Sequence, residues 1–162
     1  MTGGFTHLDA EGRPRMVDVG DKDATHRVAV AEGIIRMQAT TAEAIDQGST
    51  KKGNVLIVSE IAGITGAKKT ADLIPLCHPV ALSSVQVRLE VDHAIPGVRA
   101  RATAEVVEKT GVEMEALTAV TVALLTVYDM CKALDRGMRI EDVHLVRKEG
   151  GRSGTWTATG EQ

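Results

Sequence analysis

The sequence predicts a single α+β domain in which an antiparallel sheet carries its helices on one face. The chain has 162 residues, and single domains usually have about 100 to 200. Two adjacent segments alternate apolar and polar residues around a turn, which is typical of a β-hairpin with one buried face. A segment with helical periodicity lies on each side of this hairpin. We therefore expect one domain over 1–162, with 1–15 as a flexible arm because glycine and proline interrupt every period there.

One strand and two helices are predicted in the first half of the chain. Residues 27–37 are rich in Val, Ile and Ala, which favours a strand. A short helix follows, in which Thr40 and Glu43 have the spacing of a capping box and Gly48 ends the helix. Residues 53–73 are predicted to form a longer helix, because their isoleucines recur at helical spacing. The isoleucines that would share one face are Ile57, Ile61 and Ile64.

The hairpin comes next. Apolar residues occupy every second position over 85–91, and Gln, Arg and Glu lie between them. The same alternation recurs over 98–106, after a turn at Ile95-Pro96-Gly97. A period of two places every apolar side chain of a strand on the same face, so both arms are predicted to bury one face.

A long helix and a last strand complete the predicted order. Thr110 and Glu113 again have capping-box spacing, so a helix is predicted over 110–136, with Gly137 at its end. Residues 143–148 read as a strand. The order strand, helix, strand, strand, helix, strand is the split βαβ pattern of ferredoxin-like folds. Such a sheet leaves its second face open to water, and we expect another subunit to cover it, so the protein is predicted to oligomerise through the sheet.

Composition restricts the classes of function. The net charge is −3 and the chain has three aromatic residues, Phe5, Tyr128 and Trp156, which disfavours sites that stack nucleic-acid bases on aromatic platforms. No uncharged apolar run approaches the ~20 residues of a membrane span, and the first residues do not resemble a secretory signal. Cys77 and Cys131 lie far apart in the sequence. A cytoplasmic protein that binds neither membrane nor nucleic acid is expected.

The segment Pro75-Leu76-Cys77-His78-Pro79 is a candidate site. The two prolines restrict the backbone on both sides, so Cys77 and His78 would be held in a defined orientation. The segment could equally be a rigid connection with an inert thiol. A metal site is the weaker alternative, because adjacent Cys and His seldom bind one ion together and no second ligand cluster follows.

Two groups of charges lie on the last predicted helix. Glu113 and Glu115 fall in its first turn, where carboxylates also simply complement the helix dipole. Asp129 and Lys132 are three residues apart and share a face. As a surface ion pair they would need no function, but the preceding residues 119–127 are almost wholly apolar, which predicts a buried helix with this pair at the mouth of a cavity. There a lysine and a carboxylate can exchange protons with a substrate.

Basic residues predict an anionic ligand. The glycine-rich segment 148–154 combines Lys and Arg with backbone N–H groups that could approach an anion, although its spacing is not that of a Walker loop. A flexible C-terminal turn is the alternative. Residues 50–80 carry four lysines against two carboxylates in an otherwise acidic chain, which favours a phosphorylated ligand. These lysines are Lys51, Lys52, Lys68 and Lys69.

Taken together, the motifs resemble one enzyme family over nearly the whole chain. The protein resembles cyclic pyranopterin monophosphate synthase, the molybdenum-cofactor biosynthesis protein C family. The loop differs from the family pattern at Arg152, where the family has Lys. The segments that carry the resemblance are Met16-Val17-Asp18-Val19, Asp72 to Pro79, Lys109 to Thr118, Tyr128 to Ala133, and Gly150 to Gly154.

The resemblance implies a lyase of the phosphorus–oxygen class. Its reaction converts (8S)-3′,8-cyclo-7,8-dihydroguanosine 5′-triphosphate to cyclic pyranopterin monophosphate and diphosphate in molybdopterin biosynthesis. It implies no resident metal or cofactor and leaves open whether Mg²⁺ accompanies the triphosphate. It also implies a homohexamer, a trimer of dimers, with sites between subunits.

The resemblance assigns roles residue by residue. Asp129 is implied to be catalytic, with Lys52 and Lys132 as its partners. Lys148 and, less firmly, Arg27 are implied to be neighbours of the site. The implied substrate-binding residues are Leu76, Cys77, His78, Glu113, Met114 and Glu115.

Two other classes of function are compatible with parts of the pattern. The same element order occurs in RNA-recognition domains, but neither hairpin strand contains an aromatic residue on which bases could stack. A regulatory domain that binds a nucleotide without transforming it is the other alternative. Release of diphosphate from the cyclised guanosine triphosphate would separate a catalyst from a binder.

Overall fold

The computed structural model describes residues 7–9, 11–49 and 53–158. They form an α+β fold with one open antiparallel sheet of five strands, which confirms the predicted fold class. The strand bounds are β1 (Thr25–Arg36), β2 (Ser84–Asp92), β3 (Gly97–Glu108), β4 (Arg139–Glu149) and β5 (Trp156–Thr157). The helix bounds are α1 (Ala39–Asp46), α2 (Val55–Lys68), α3 (Thr70–Leu73) and α4 (Glu113–Cys131).

The strands lie in the order β2-β3-β1-β4-β5. The first four have the order expected of a ferredoxin-like sheet, and the short β5 adds an edge that the sequence pattern did not predict. In the hairpin, Val87 of β2 pairs with Ala102 of β3, so the apolar positions of both strands fall on the same face. The long β1 lies in the centre, bonded to β3 on one side and to β4 on the other.

Both predicted capping boxes are wrong. The N-cap of α1 is Gln38 and the N-cap of α4 is Val112, and neither cap makes a side-chain hydrogen bond. At α1 the backbone N–H of Gln38 instead donates to the Asp135 carboxylate at 2.8 Å. A tertiary contact therefore replaces the local cap, which a pattern of neighbouring residues cannot reveal.

The two long helices pack against each other and against one face of the sheet. Gly63 of α2 lies where a Cβ would come within 2.9 Å of the Ala119 carbonyl oxygen, and a Cβ at Gly66 would lie 2.8 Å from Val122. Only glycine permits so close an approach between α2 and α4. By length and composition α4 could span a membrane, yet it is a core helix here, with Ala116, Ala119, Val120, Ala123, Leu124 and Val127 all buried.

The two outer surfaces of the protomer differ in character. The open face of the sheet carries charged side chains around a cavity of about 560 Å³. The outer face of the helix layer exposes large apolar side chains, among them Ile57, Ile61 and Leu125, each more than half exposed. Oligomerisation through the sheet thus stays a prediction, and the helix layer offers the more apolar surface.

Among the buried polar residues outside the cavity, Asp135 is the one whose substitution is expected to destabilise the protein most. Its side chain is 3% exposed and accepts hydrogen bonds from the backbone N–H groups of Gln38 and Gly137, both at 2.8 Å. Asp135→Ala should lower the free energy of unfolding by about 2–4 kcal/mol, because both donors lose a charged acceptor. Urea unfolding at one protein concentration measures this. A loss no larger than that of the exposed Asp23→Ala would contradict it.

Candidate active site

A cavity of about 590 Å³ lies where the loop after α3 meets the start of α4. All six predicted substrate-binding residues line it, although they come from two segments more than thirty residues apart in the sequence. The remaining lining residues come from the N-terminal segment, the loop and the turn before α4. The predicted residues in its wall are Leu76, Cys77, His78, Glu113, Met114 and Glu115.

A partly buried polar contact in the wall of the cavity joins Cys77 to Glu115. The Cys77 thiol donates to Oε1 of Glu115 at 3.6 Å. Burial raises the pKa of the Cys77 thiol to about 11, and the neighbouring Glu115 adds to this shift. Burial also raises the pKa of the Glu115 carboxyl group, which is 2% exposed. At neutral pH the thiol is therefore protonated and is a hydrogen-bond donor rather than a nucleophile.

His78 is held by the segment that precedes β1. Its Nε2 lies 2.7 Å from the backbone carbonyl oxygen of Val17. A carbonyl oxygen can only accept, so Nε2 carries a hydrogen, and in the neutral ring Nδ1 is then the acceptor. The segment is itself tied down, because Lys109 Nζ donates to the Gly20 carbonyl oxygen at 2.6 Å.

A second cluster of charges lies beside the cavity. Lys148 Nζ is 3.6 Å from Oε1 of Glu113 and donates to Ser153 Oγ at 2.7 Å. Arg27 donates to two backbone carbonyl oxygens at the end of β3. The glycine-rich loop passes so close over its guanidinium group that a Cβ at Gly151, where φ is +71°, would overlap it. Lys148 and Arg27 are thus neighbours of the cavity and of the loop.

Asp129 and Lys132 form the predicted ion pair, with Nζ 2.6 Å from Oδ1. Both side chains are more than half exposed, and neither lines the cavity. Glu115 and Asp129 are separated by fourteen helical residues, hence by about 20 Å along α4. One protomer therefore does not bring the pair together with the six cavity residues. Lys52 and Lys51 lie outside the described residues.

The N-terminal contribution to this site had no signal in the sequence pattern. His7 and Pro14 line the cavity, and residues 7–9 and 11–15 include a bridge between Leu8 and Pro14. The part of the predicted arm that the structure describes thus contributes to the wall, while residues 1–6 and 10 lie outside the description. Glycine and proline interrupt any periodicity in this segment. The neighbouring motif at 16–19 was therefore the only sequence signal close to this part of the cavity wall.

Glu115 is expected to make the stability of the protein depend on pH. The folded protein holds this proton to a higher pH than the unfolded chain, in which Glu titrates near ~4.3. The folded state then binds more protons above that pH, so the free energy of unfolding falls as pH rises. Relative to Glu115→Gln, the wild type should lose stability in urea unfolding as the pH rises above about 4. A difference between the two proteins that stays constant with pH would contradict the expectation, and the exposed Glu43→Gln is the control.

Comparison with known protein families identifies a family whose pattern this chain follows. Residues 16–151 match the family model described as MoaC family. The match covers most of the chain and includes all nine residues to which the sequence resemblance assigned roles in catalysis or substrate binding.

Proposed function

Since the chain belongs to the MoaC family, an enzyme family of molybdenum cofactor biosynthesis with a small pterin-precursor substrate, we propose the specific reaction that it performs. The substrate is (8S)-3′,8-cyclo-7,8-dihydroguanosine 5′-triphosphate, and the products are cyclic pyranopterin monophosphate and diphosphate. The enzyme would be a phosphorus–oxygen lyase of the cytoplasm. It would need no resident cofactor.

The observation that carries the proposal is the cavity itself. Six residues assigned to substrate binding from sequence line one cavity of about 590 Å³, a volume suited to a nucleotide-sized ligand. The cavity contains two carboxyl groups, two histidines and a thiol, which can pair with the donors and acceptors of a guanine-derived ring. The cations that a triphosphate needs lie beside it, on Lys148 and Arg27.

The chemistry requires positive charge and a proton acceptor. In the proposed step a substrate hydroxyl oxygen bonds to the α-phosphorus, the bond from that phosphorus to diphosphate breaks, and the hydroxyl proton leaves to a base. Lysine ammonium groups stabilise the charge that develops on the phosphate oxygens. Asp129, paired with Lys132, is the proposed acid–base group, and Lys52 is its proposed partner.

We propose that the complete site forms between subunits of a homohexamer, a trimer of dimers. Two features support a shared site. The ion pair lies about 20 Å along α4 from the cavity residues, too far for one substrate molecule to contact both inside one protomer. The same end of the helix layer exposes Leu125, 53% accessible and one turn before Asp129, as expected of a surface that a second copy covers.

A time course with the cyclised guanosine triphosphate tests the reaction. Purified protein should release diphosphate and form the cyclic monophosphate in equal amounts over many turnovers. Binding without diphosphate release would instead favour the regulatory nucleotide-binding domain and would contradict the proposal.

A further inference from the structure

We propose that Lys109 is a positioning residue of the candidate active site. It tethers the N-terminal segment to the turn between β3 and α4, and it thereby places the backbone carbonyl oxygen that orients the ring of His78. The proposal rests on the proposed function, because it concerns how the same cavity is prepared for its substrate. The sequence resemblance assigns no role to Lys109.

Residues 16–22, here called the strap, make few contacts with the rest of the fold. The strap lies outside all the helices and strands named above. Its Val17 carbonyl oxygen lies 2.7 Å from His78 Nε2, and its Gly20 carbonyl oxygen accepts from Lys109 Nζ at 2.6 Å. The strap makes no other hydrogen bond with the rest of the described chain. A coil segment held at two points depends on both of them for its position.

A local hydrogen bond couples these two points. Asp18 Oδ1 accepts from the Gly20 backbone N–H at 2.8 Å. An aspartate that bonds the backbone two residues further on is typical of a tight turn. The Val17 carbonyl group lies at the start of this turn and the Gly20 carbonyl group at its end. Release of Gly20 is therefore expected to move Val17 away from His78.

Lys109 is a fixed anchor for the strap. The Arg27 guanidinium group donates to the Glu108 and Lys109 carbonyl oxygens at 2.9 and 3.1 Å, which holds the backbone of the turn. The Lys109 ammonium group pairs with no carboxylate among the described residues, and a charged donor makes a stronger hydrogen bond than a neutral one. Lys109 does not line the cavity, so we expect it to affect a ligand through the residues that it holds.

The Val17 carbonyl oxygen decides which nitrogen of His78 carries the hydrogen. With Nε2 as its donor, Nδ1 of the neutral ring is an acceptor. Among the described residues Nδ1 has no hydrogen-bond partner, and it is not one of the buried side-chain atoms that lack one. It thus stays accessible, in a side chain that lines the cavity, and can accept from an N–H or O–H group of a ligand. Without the carbonyl group the ring could carry its hydrogen on either nitrogen.

The tautomer of His78 is the direct readout of the tether. In full-length protein with ¹⁵N-labelled histidine, at alkaline pH, His78 should give the well separated signals of one protonated and one unprotonated ring nitrogen. Loss of these signals in His78→Gln assigns them. In Lys109→Met the two shifts should move toward each other, because both tautomers are then populated. Unchanged shifts would overturn the proposal, whatever the variant does to binding.

Two further variants separate the tether from the loss of a positive charge. Lys109→Arg keeps a cationic donor and should hold both shifts closer to their wild-type values than Lys109→Met does. Lys22→Met removes a lysine from the strap itself, and the Lys22 side chain makes no hydrogen bond or ion pair within the described ranges. It should leave both shifts unchanged. If it moved them as far as Lys109→Met, the lost charge would be the cause and the tether would be wrong.

Substrate binding is the second readout. The Kd of the cyclised guanosine triphosphate is measured by calorimetry in full-length protein carrying Asp129→Ala, so that the ligand is not consumed. Lys109→Met should weaken binding about three- to tenfold, the range expected for one lost hydrogen bond. Added to His78→Ala, it should weaken binding by less than about twofold more, because residues that act through each other are not additive. Fully additive losses would show that Lys109 does not act through His78.

The outcomes separate this proposal from the proposed function. Lys109→Met is expected to fold, since the bond that it removes is exposed to solvent, and its unfolding temperature checks this. If the wild type releases no diphosphate, the proposed function fails, and the ring shifts of His78 still test the tether. If it does release diphosphate and Lys109→Met keeps the wild-type shifts and Kd, the present proposal fails alone.

Discussion

Asp129→Ala is expected to lower kcat by about 10²–10⁴-fold, the usual contribution of a general acid–base group. Stability should change little, because the Asp129 carboxylate is 61% exposed and its ion pair with Lys132 is also accessible to solvent. The loss of activity would then report chemistry rather than folding. Initial rates of diphosphate release, together with the unfolding temperature and the oligomer size, measure both properties.

Asp46→Ala is a matched control for this substitution. Asp46 is also exposed, lies at the end of a helix and contacts a side chain, with its Oδ2 3.3 Å from His93 Nε2. It should retain nearly wild-type kcat, because it belongs to α1 and does not line the candidate cavity. If Asp129→Ala turned over substrate as fast as Asp46→Ala, Asp129 would not be the acid–base residue.

The second large effect is recovery of activity in mixed oligomers. Asp129→Ala and His78→Ala are each expected to be nearly inactive, since each lacks one half of the proposed site. After the two variants are unfolded together and refolded at equal amounts, activity should recover to about a quarter of the wild-type value. In the mixture, each site takes its cavity from one copy and its ion pair from another, and each of these two parts is intact with a probability of about one half. Both parts are therefore intact in about a quarter of the sites.

The recovered fraction of activity distinguishes sites that two subunits share from sites that lie within a single protomer. Each variant refolded alone should remain inactive. A mixture of Asp129→Ala with Lys132→Ala should also remain inactive, because both substitutions damage the same half of the site. If the Asp129→Ala and His78→Ala mixture also stayed inactive while forming oligomers of native size, each protomer would hold its own complete site, and the shared site would be wrong.

The secondary structure was largely predictable because its signals are local. Alternation over 85–91 and 98–106 defines both arms of the hairpin, and the observed strands Ser84–Asp92 and Gly97–Glu108 extend those ranges by only a few residues. The helix boundaries were less predictable. The predicted end of the last helix at 136 was wrong, since α4 ends at Cys131 and the chain turns so that Asp135 can reach the start of α1.

Sequence motifs identified six of the residues that line the cavity, including Cys77 and Glu115, but not His7 and Pro14. They did not reveal the contact between Cys77 and Glu115, because residues 38 positions apart meet only once the sheet and helices have packed. The backbone carbonyl of Val17 that orients His78 had no signal of its own, since every residue has a carbonyl group.

The sequence by itself determined the types of the main elements, the aliphatic core and the family, because periodicity, composition and short motifs do not depend on distant contacts. Only the tertiary structure decided that the six cavity residues converge, that Glu115 is buried beside a thiol, and that Asp129 lies about 20 Å away along α4. Burial and long-range contact arise from packing, and they raise the pKa of the Glu115 carboxyl group. Packing thus places one carboxyl group of α4 in the wall of the cavity and leaves the other, on Asp129, exposed to solvent.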